Sequence, residues 1–435
     1  MTADNSPGRL PIYDAEFAAD PAGSYARLRA AYGDFAPVEL APGVPATLVL
    51  GYDAALGVLR DPGTFPKDPR RWEQTIPPDC PVRPMMGYRP NALYTDGGVH
   101  ARVRGAISDA LGRVDTVALR AYVERSADVL IDGFAADGEA DLRAQYTKVL
   151  PLLVFNHMFG CPPAIADRLV QGMIGIFELV DTEKADAELT RGVTELIELK
   201  RAAPGADVTS WMMGHPARLT DQEMADQLVL LMGAGTEPQQ NLIANTLRLL
   251  LSDDRFAGDL SGGSLPIEDA LDEVLWTDPP MANFGFTYPE RDLERDGFVL
   301  PANQPVGVSF AAANTDPSKR AGNRAGNRAH LAFGAGPHTC PAKNHARLIA
   351  SAAIEGLLDR LPDLTLAVPA AELQWRPGPF HRALASLPVR FTPVPVPVPV
   401  QVPAPAPAPV SAPAPDPLPA PSEPRRSRLL NRWRT

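Results

Sequence analysis

The chain has 435 residues, 45% apolar and 21% charged, so it can bury a large core, and its length suggests two or three domains. That composition excludes a collagen, a disulfide scaffold and a wholly disordered chain. Forty-one basic against 52 acidic residues leave a net charge of −11. A sequence-independent nucleic-acid binder is therefore not expected, because phosphate attraction needs a basic field. Three cysteines, Cys80, Cys161 and Cys340, are odd in number and far apart. Such usage fits a reducing, cytoplasmic setting rather than a disulfide framework. The N-terminus has neither an apolar run nor a cationic start, so no signal peptide is expected. No stretch nears the roughly 18 apolar residues of a membrane span.

In chain order the body reads as mainly α with small β-sheets, an α+β class. Ser24–Tyr32 begins an amphipathic helix, and ATLVLGY (46–52) alternates as a short strand. Helical periodicity then runs over Val99–Leu111, Thr116–Asp132, Ala164–Val180, Asp186–Ala202 and Asp221–Leu251. Asp221 is the expected N-cap of the last of these, with Glu223 in the first turn. At about 1.5 Å per residue this helix is on the order of 45 Å long and should cross the whole domain. Residues Gly297–Leu300 and Gln304–Ser309 lean to strand, a Gly/Pro-rich loop follows, and a helix is expected over Pro341–Leu361. The tandem AGNR-AGNR at Ala321–Arg328 reads as a loop of turn formers, not an architectural repeat.

The end of the chain changes character. From Pro393 to Pro424, 14 of 32 residues are proline, mostly alternating with Val or Ala. Proline fixes φ and removes an amide donor, so 393–424 is expected to be a polyproline-II tether, on the order of 100 Å if extended. Residues 425–435 form a basic tip with five arginines and Trp433. Against it stands an acidic body, 1–392. One reading is a solubilising extension. Another is docking of the tip on an anionic membrane or an acidic partner.

The segment His330–Arg347, HLAFGAGPHTCPAKNHAR, carries the most chemistry. A cysteine ligates metal only as thiolate, which needs stabilising. Cys340 precedes a predicted helix, whose free amides and dipole favour an anion. Gly334 and Gly336 allow a tight turn toward the sulfur, and Pro341 suits a first helical position. Zinc would want further close ligands, and no CxxC accompanies Cys340. Taken alone, Cys340 would read as a small buried hydrophobe.

The surrounding residues resemble the haem-ligand loop of cytochromes P450, usually FGxGxHxCxG. Phe333, Gly334, Gly336, His338 and Cys340 match, and Ala342 stands at the last glycine. The resemblance covers nearly all of 1–392 and implies a P450 fold, haem b as cofactor and Cys340 as its iron ligand. DGGVHARVRGAISDAL resembles the family's C helix, where His100 and Arg104 lie four apart on one face. By that resemblance they would hold the haem propionates with His338. LLMGAGTEPQQNL resembles the I helix over the distal face, with Ala234 and Gly235 against the haem, and LDEVLWTDPP the K helix. Phe333 would shield the sulfur. Without this loop, His100 and Arg104 would read as a solvated helix face.

Three departures bear on mechanism. The family's I-helix acid and alcohol fall at Glu237 and Pro238, so the acid is kept and the hydroxyl is missing. Thr236 is the nearest alcohol, but at about 100° per residue it faces elsewhere. The K-helix ExxR motif becomes Glu273 with Trp276 in place of arginine. A buried Glu273 would need another cation, and Arg320, Arg324 and Arg328 are at hand, Arg324 being the favoured partner. The position that usually adds a propionate arginine is Thr287, so the haem is expected to be less tightly clamped. These departures resemble most closely the P450s that accompany small G-protein modules in actinobacterial conservons.

Two function classes follow from the resemblance. One is a monooxygenase inserting one oxygen atom into a small apolar substrate, with Glu237 aiding proton delivery and either a ferredoxin-type partner supplying two electrons or peroxide taking the place of oxygen and those electrons. Its pocket is expected from Met232 and Gly233, from Met281, Ala282 and Phe284 through Phe286, and from Phe380 and His381, under a lid at 70–95. The other is a haem-binding sensor or scaffold in a membrane-associated G-protein assembly with little turnover.

Overall fold

A computed structural model describes residues 8–178, 182–256, 267–319 and 326–395. Arg320, Arg324, most of the proline-rich segment 393–424 and the basic tip 425–435 lie outside the described residues.

Strand β1 (Leu10–Pro11) and helices α1 (Ala15–Ala19) and α2 (Pro21–Tyr32) lead into a hairpin of β2 (Phe35–Ala41) and β3 (Val44–Val49). Helices α3 (Tyr52–Arg60), α4 (Arg70–Glu73), α5 (Arg83–Met86), α6 (Gly97–Gly112) and α7 (Thr116–Asp132) come next. After β4 (Glu139–Asp141) come α8 (Leu150–Met158), α9 (Pro163–Glu178), α10 (Thr182–Ala202), α11 (Val208–Met213) and α12 (Asp221–Ser252). Then come α13 (Ile267–Thr277), β5 (Asn283–Thr287), β6 (Leu293–Arg295), β7 (Phe298–Leu300), β8 (Val306–Ser309) and α14 (Phe310–Asn314). Helix α15 (Lys343–Arg360), β9 (Thr365–Leu366) and β10 (Pro388–Arg390) complete the order. The strands form a five-stranded sheet β1-β2-β3-β8-β5, a three-stranded sheet β4-β10-β9 and the hairpin β6-β7. The architecture is mainly α with small sheets, as the sequence pattern predicts.

Two boundaries differ from expectation. The N-cap of α12 is Thr220, not Asp221. Its side chain accepts from the Glu223 amide at 3.2 Å, and the Glu223 carboxylate accepts from the Thr220 amide at 2.9 Å. This reciprocal capping box satisfies two otherwise orphaned donors. Helix α15 starts at Lys343 with Ala342 as N-cap, so Pro341 lies in the turn before it.

Helix α12 crosses the interior. Its second half buries Leu242, Ile243, Leu247 and Leu250 in one core with Leu271 and Val274 of α13 and Ile354 and Leu357 of α15. Burying one such side chain contributes roughly 1.5–3 kcal/mol. Packing therefore holds a helix that carries Gly233, Gly235 and an internal Pro238, residues that lower intrinsic helicity.

A clasp of ion pairs joins α13 to α15, while Arg324, the expected partner of Glu273, lies outside the described residues. Arg347 donates to both Asp272 and Glu268, and Arg328 reaches the same two carboxylates at 3.2 Å each. The Asp272 side chain is 3% exposed and that of Glu273 is 18% exposed. Glu273 is thus less buried than its neighbour, and Arg255 stands 3.4 Å from it. About 100° of helix rotation separates the two acids, and it is Asp272 that faces inward and takes the cation from the loop. Trp276 donates its indole N–H to the Asn327 carbonyl at 2.7 Å, so it ties the same loop without charge.

Arg347→Met should remove the buried one of the two guanidiniums on Asp272, leaving the exposed Arg328, and cost about 3 kcal/mol in urea unfolding. Arg255→Ala should cost under about 1 kcal/mol, because that pair is largely exposed. A smaller loss for Arg347→Met than for Arg255→Ala would refute the clasp. At the C-terminal edge, the Val394 amide donates to the Ala135 carbonyl at 2.8 Å. Deletion from residue 396 onward should leave the thermal midpoint unchanged, whereas deletion from Pro393 should cost about 1 kcal/mol.

Candidate active site

The Cys340 loop is shaped by backbone constraints. Gly336 has φ +69°, and a Cβ there would lie 2.2 Å from the Leu59 carbonyl oxygen of α3. Only glycine fits such a position. The Cys340 amide donates to the Phe333 carbonyl at 2.8 Å, which closes the turn. Asn314 braces the loop from behind. Its Oδ1 accepts from the Leu331 amide at 2.7 Å, and its Nδ2 donates to the Leu275 carbonyl of α13 at 2.9 Å.

Cys340 lines a cavity of about 310 Å³. Phe333, Gly334, Pro341, Ala342 and Ala346 form one wall with it, and Leu230, Leu231, Ala234, Gly235 and Pro238 of α12 form another. The cavity leaves Cys340 some accessible surface, yet its depth pushes the thiol up. A backbone hydrogen bond at Ala342 and the charges of Arg104 and Lys343 pull the other way. Gly235 lets the Phe155 ring lie against α12, since a Cβ there would meet the ring at 2.8 Å.

One edge of this cavity is cationic. Arg104 lines it and donates to the Thr339 carbonyl beside Cys340. His338 lines it too, and its Nε2 is 3.1 Å from Asp96 Oδ1. His100 stacks behind His338 at 4.1 Å between ring centroids, with its nitrogens against the Ala92 and Pro337 carbonyls at 3.0 and 3.3 Å. Burial pulls the His338 imidazole down, against the hydrogen bond from Asp96. Asp96 is the N-cap of α6 but makes no capping bond with its side chain. Its carboxylate serves the site instead.

A second cavity of about 130 Å³ shares Leu93, Leu230, Ala234, Pro238, Met281 and Phe284 with the first. Gly233 and His381 also line it. Met232 does not, because its side chain packs in the main core, and Ala282 and Phe380 are buried in the cluster around the five-stranded sheet. Phe380 instead meets Phe284 edge-on at 5.8 Å and so backs the pocket wall. The 70–95 segment covers this cavity with Pro84, Met85, Arg89, Asn91 and Tyr94, while Trp72, Cys80, Val82 and Met86 anchor it in the core.

The α12 polar residues are arranged differently from expectation. The Thr236 hydroxyl donates to the Met232 carbonyl of its own helix at 2.7 Å and lines neither cavity. A threonine in mid-helix satisfies itself in this way when it faces packed neighbours. The buried Glu237 carboxylate accepts from Arg376 at 2.7 Å and from Asn241 at 3.4 Å. Pro238 lines both cavities with carbon. It offers no N–H to the Ala234 carbonyl four residues earlier.

Several site residues have no signal in the sequence pattern. Lys67, Asp96 and Arg376 reach the site from separate loops. Asp96 alone was open to detection, as a cap-type residue ahead of an amphipathic helix.

No family model matches the chain. It is 34% identical over 390 residues to the cytochrome P450 monooxygenase PikC of Streptomyces venezuelae, across 86% of this chain and 92% of that protein. It is 31% identical over 410 residues to cytochrome P450 107B1 of Saccharopolyspora erythraea, across 90% and 99%. Among solved structures, a ligand-bound CYP154C4 of a Streptomyces species superposes with a TM-score of 0.80 at 32% identity, covering 88% of this chain and 98% of that one. The donor set fits these relatives' cofactor, haem b. A sulfur lines a largely apolar cavity together with the guanidinium of Arg104 and the ammonium of Lys67. Local chemistry and whole-chain likeness give one answer, and the chain belongs to the cytochrome P450 family.

Proposed function

We propose that Cys340 would hold haem b through its thiolate in the larger cavity, and that the enzyme inserts one oxygen atom into a small apolar substrate held in the smaller one. The observation that carries this reading is the Cys340 sulfur on an apolar wall with Arg104 and His338 along one edge. Bound haem supplies the oxygen-activating chemistry, which thiolate ligation favours. The protein's own residues position and exclude. Arg104 and His338, with His100 behind, take the propionates. Phe333 and Ala342 keep water from the sulfur. Met281, Phe284, Leu230 and Gly233 present a largely apolar surface to substrate.

Proton supply is the step this chain handles differently. Glu237 is held through Oε1 by Arg376 and Asn241, beside the cavities rather than in their lining. Thr236 is turned onto its own helix, and Pro238 has no hydroxyl. The unsupplied Ala234 carbonyl, at the junction of the cavities, is the acceptor best placed to hold a water. Electrons are proposed to come from a ferredoxin-type donor. By its charge the tip 425–435 suits an anionic membrane or an acidic partner such as a G-protein module. A haem-binding sensor with little turnover is a second reading, favoured by Pro238 alone. Among the described residues, no helix is long and apolar enough to cross a membrane.

Cys340→Ala should abolish the shifted thiolate band of the reduced carbon monoxide complex while leaving circular dichroism intact. Persistence of that band would sink the assignment. Pro238→Thr should raise product formed per electron consumed by about tenfold, below the roughly hundredfold or more that a positioned proton donor contributes to a rate. Unchanged coupling would show that the missing alcohol does not limit this enzyme.

A further inference from the structure

We infer that the Lys67 ammonium binds a haem propionate, taking the part of the arginine that Thr287 replaces. This rests on the haem reading above. Lys67 is 5% exposed, and lysines are almost never this buried unless paired. Its ammonium donates to the Gly285 carbonyl at 2.8 Å and the Phe286 carbonyl at 3.1 Å. Both acceptors are neutral, and an ammonium has three donors, so one donor remains for a ligand. Lys67 lines the Cys340 cavity together with Arg104 and His338.

Its place on the strand is the decisive feature. The two carbonyls belong to the residues just before Thr287 on β5, so the cation sits at the strand edge beside Thr287, facing the Cys340 cavity. Thr287 itself is 1% exposed, and its hydroxyl donates to the Val306 carbonyl at 3.2 Å. It turns into the sheet. Asp96 ties the two sides of the arrangement together. One oxygen accepts from the Lys67 amide at 2.7 Å, and the other faces His338.

Charge balance supports the same conclusion. Haem b carries two carboxylates. Arg104 is a permanent cation and lines the same cavity. Without Lys67, one fixed cation would face two anions. Burial also draws the Lys67 ammonium down to about 8, only partly countered by Asp96, as expected of a buried cation lacking its full counter-charge.

The test uses the full-length protein loaded with haem or with haem dimethyl ester, whose carboxylates are neutral, and reads porphyrin transfer to apomyoglobin. The parent should lose the ester faster than the free acid. In Lys67→Met that ratio should shrink on the order of tenfold, as for a lost hydrogen bond to a charged group. Lys67→Gln keeps donors for both carbonyls without the charge and should behave like Lys67→Met. Lys67→Arg should retain the parent ratio. A parent-like ratio in Lys67→Met or Lys67→Gln would make Lys67 a strut for β5 and overturn the proposal. Should Lys67→Met fail to fold, the Gln variant decides. A parent protein that takes up haem without a thiolate spectrum would instead overturn the Cys340 assignment, so the two failures are distinct.

Discussion

The structure turns on keeping one sulfur at the wall of a slot that water and side chains would otherwise fill. Burial alone works against the thiolate, so the loop must supply compensation through backbone amides and nearby cations. That requires the backbone to bend sharply and close to α3. Gly336 makes this possible, because no side chain could sit 2.2 Å from the Leu59 carbonyl. The Asn314 bridge to Leu331 and Leu275 then fixes the loop to α13. Metal ligation would bring the compensation that the apolar wall lacks, with release of the thiol proton.

The scaffold behind the loop is clasped by ion pairs. Asp272 and Glu268 of α13 carry the acids, and the cations come from α15 and the preceding loop as Arg347 and Arg328. Trp276 adds a neutral donor to the loop backbone. A buried carboxylate held by two guanidiniums is satisfied, whereas the same carboxylate with one partner removed would be costly. The same economy holds at the cofactor edge, where a lysine from the chain before α4 stands beside a threonine on β5.

Substitution on α12 has a different character. Pro238 leaves the helix continuous but removes both a hydroxyl and an amide. Glu237 is drawn into an ion pair with Arg376, from the C-terminal part of the chain, and His381 is buried close by with its imidazole pulled down to about 4. Desolvation is the main cause of that shift, with Glu237 opposing it. The acid therefore belongs to a satisfied polar cluster beside the cavity, and substrate contact is left to apolar residues.

The sequence by itself determined the helical class, the long central helix and the cysteine loop. These are local signals: apolar periodicity over α6, α7 and α12, and glycines, histidine and cysteine at fixed spacing within 18 residues. Tertiary structure alone decided which acid faces inward on α13, where Thr236 points, and which of Met232, Gly233, Ala282 and Phe380 reach a cavity. It alone brought Lys67, Asp96 and Arg376 to the site. Those outcomes depend on side-chain direction and on contacts between residues up to 242 positions apart, and a one-dimensional pattern carries no information about either.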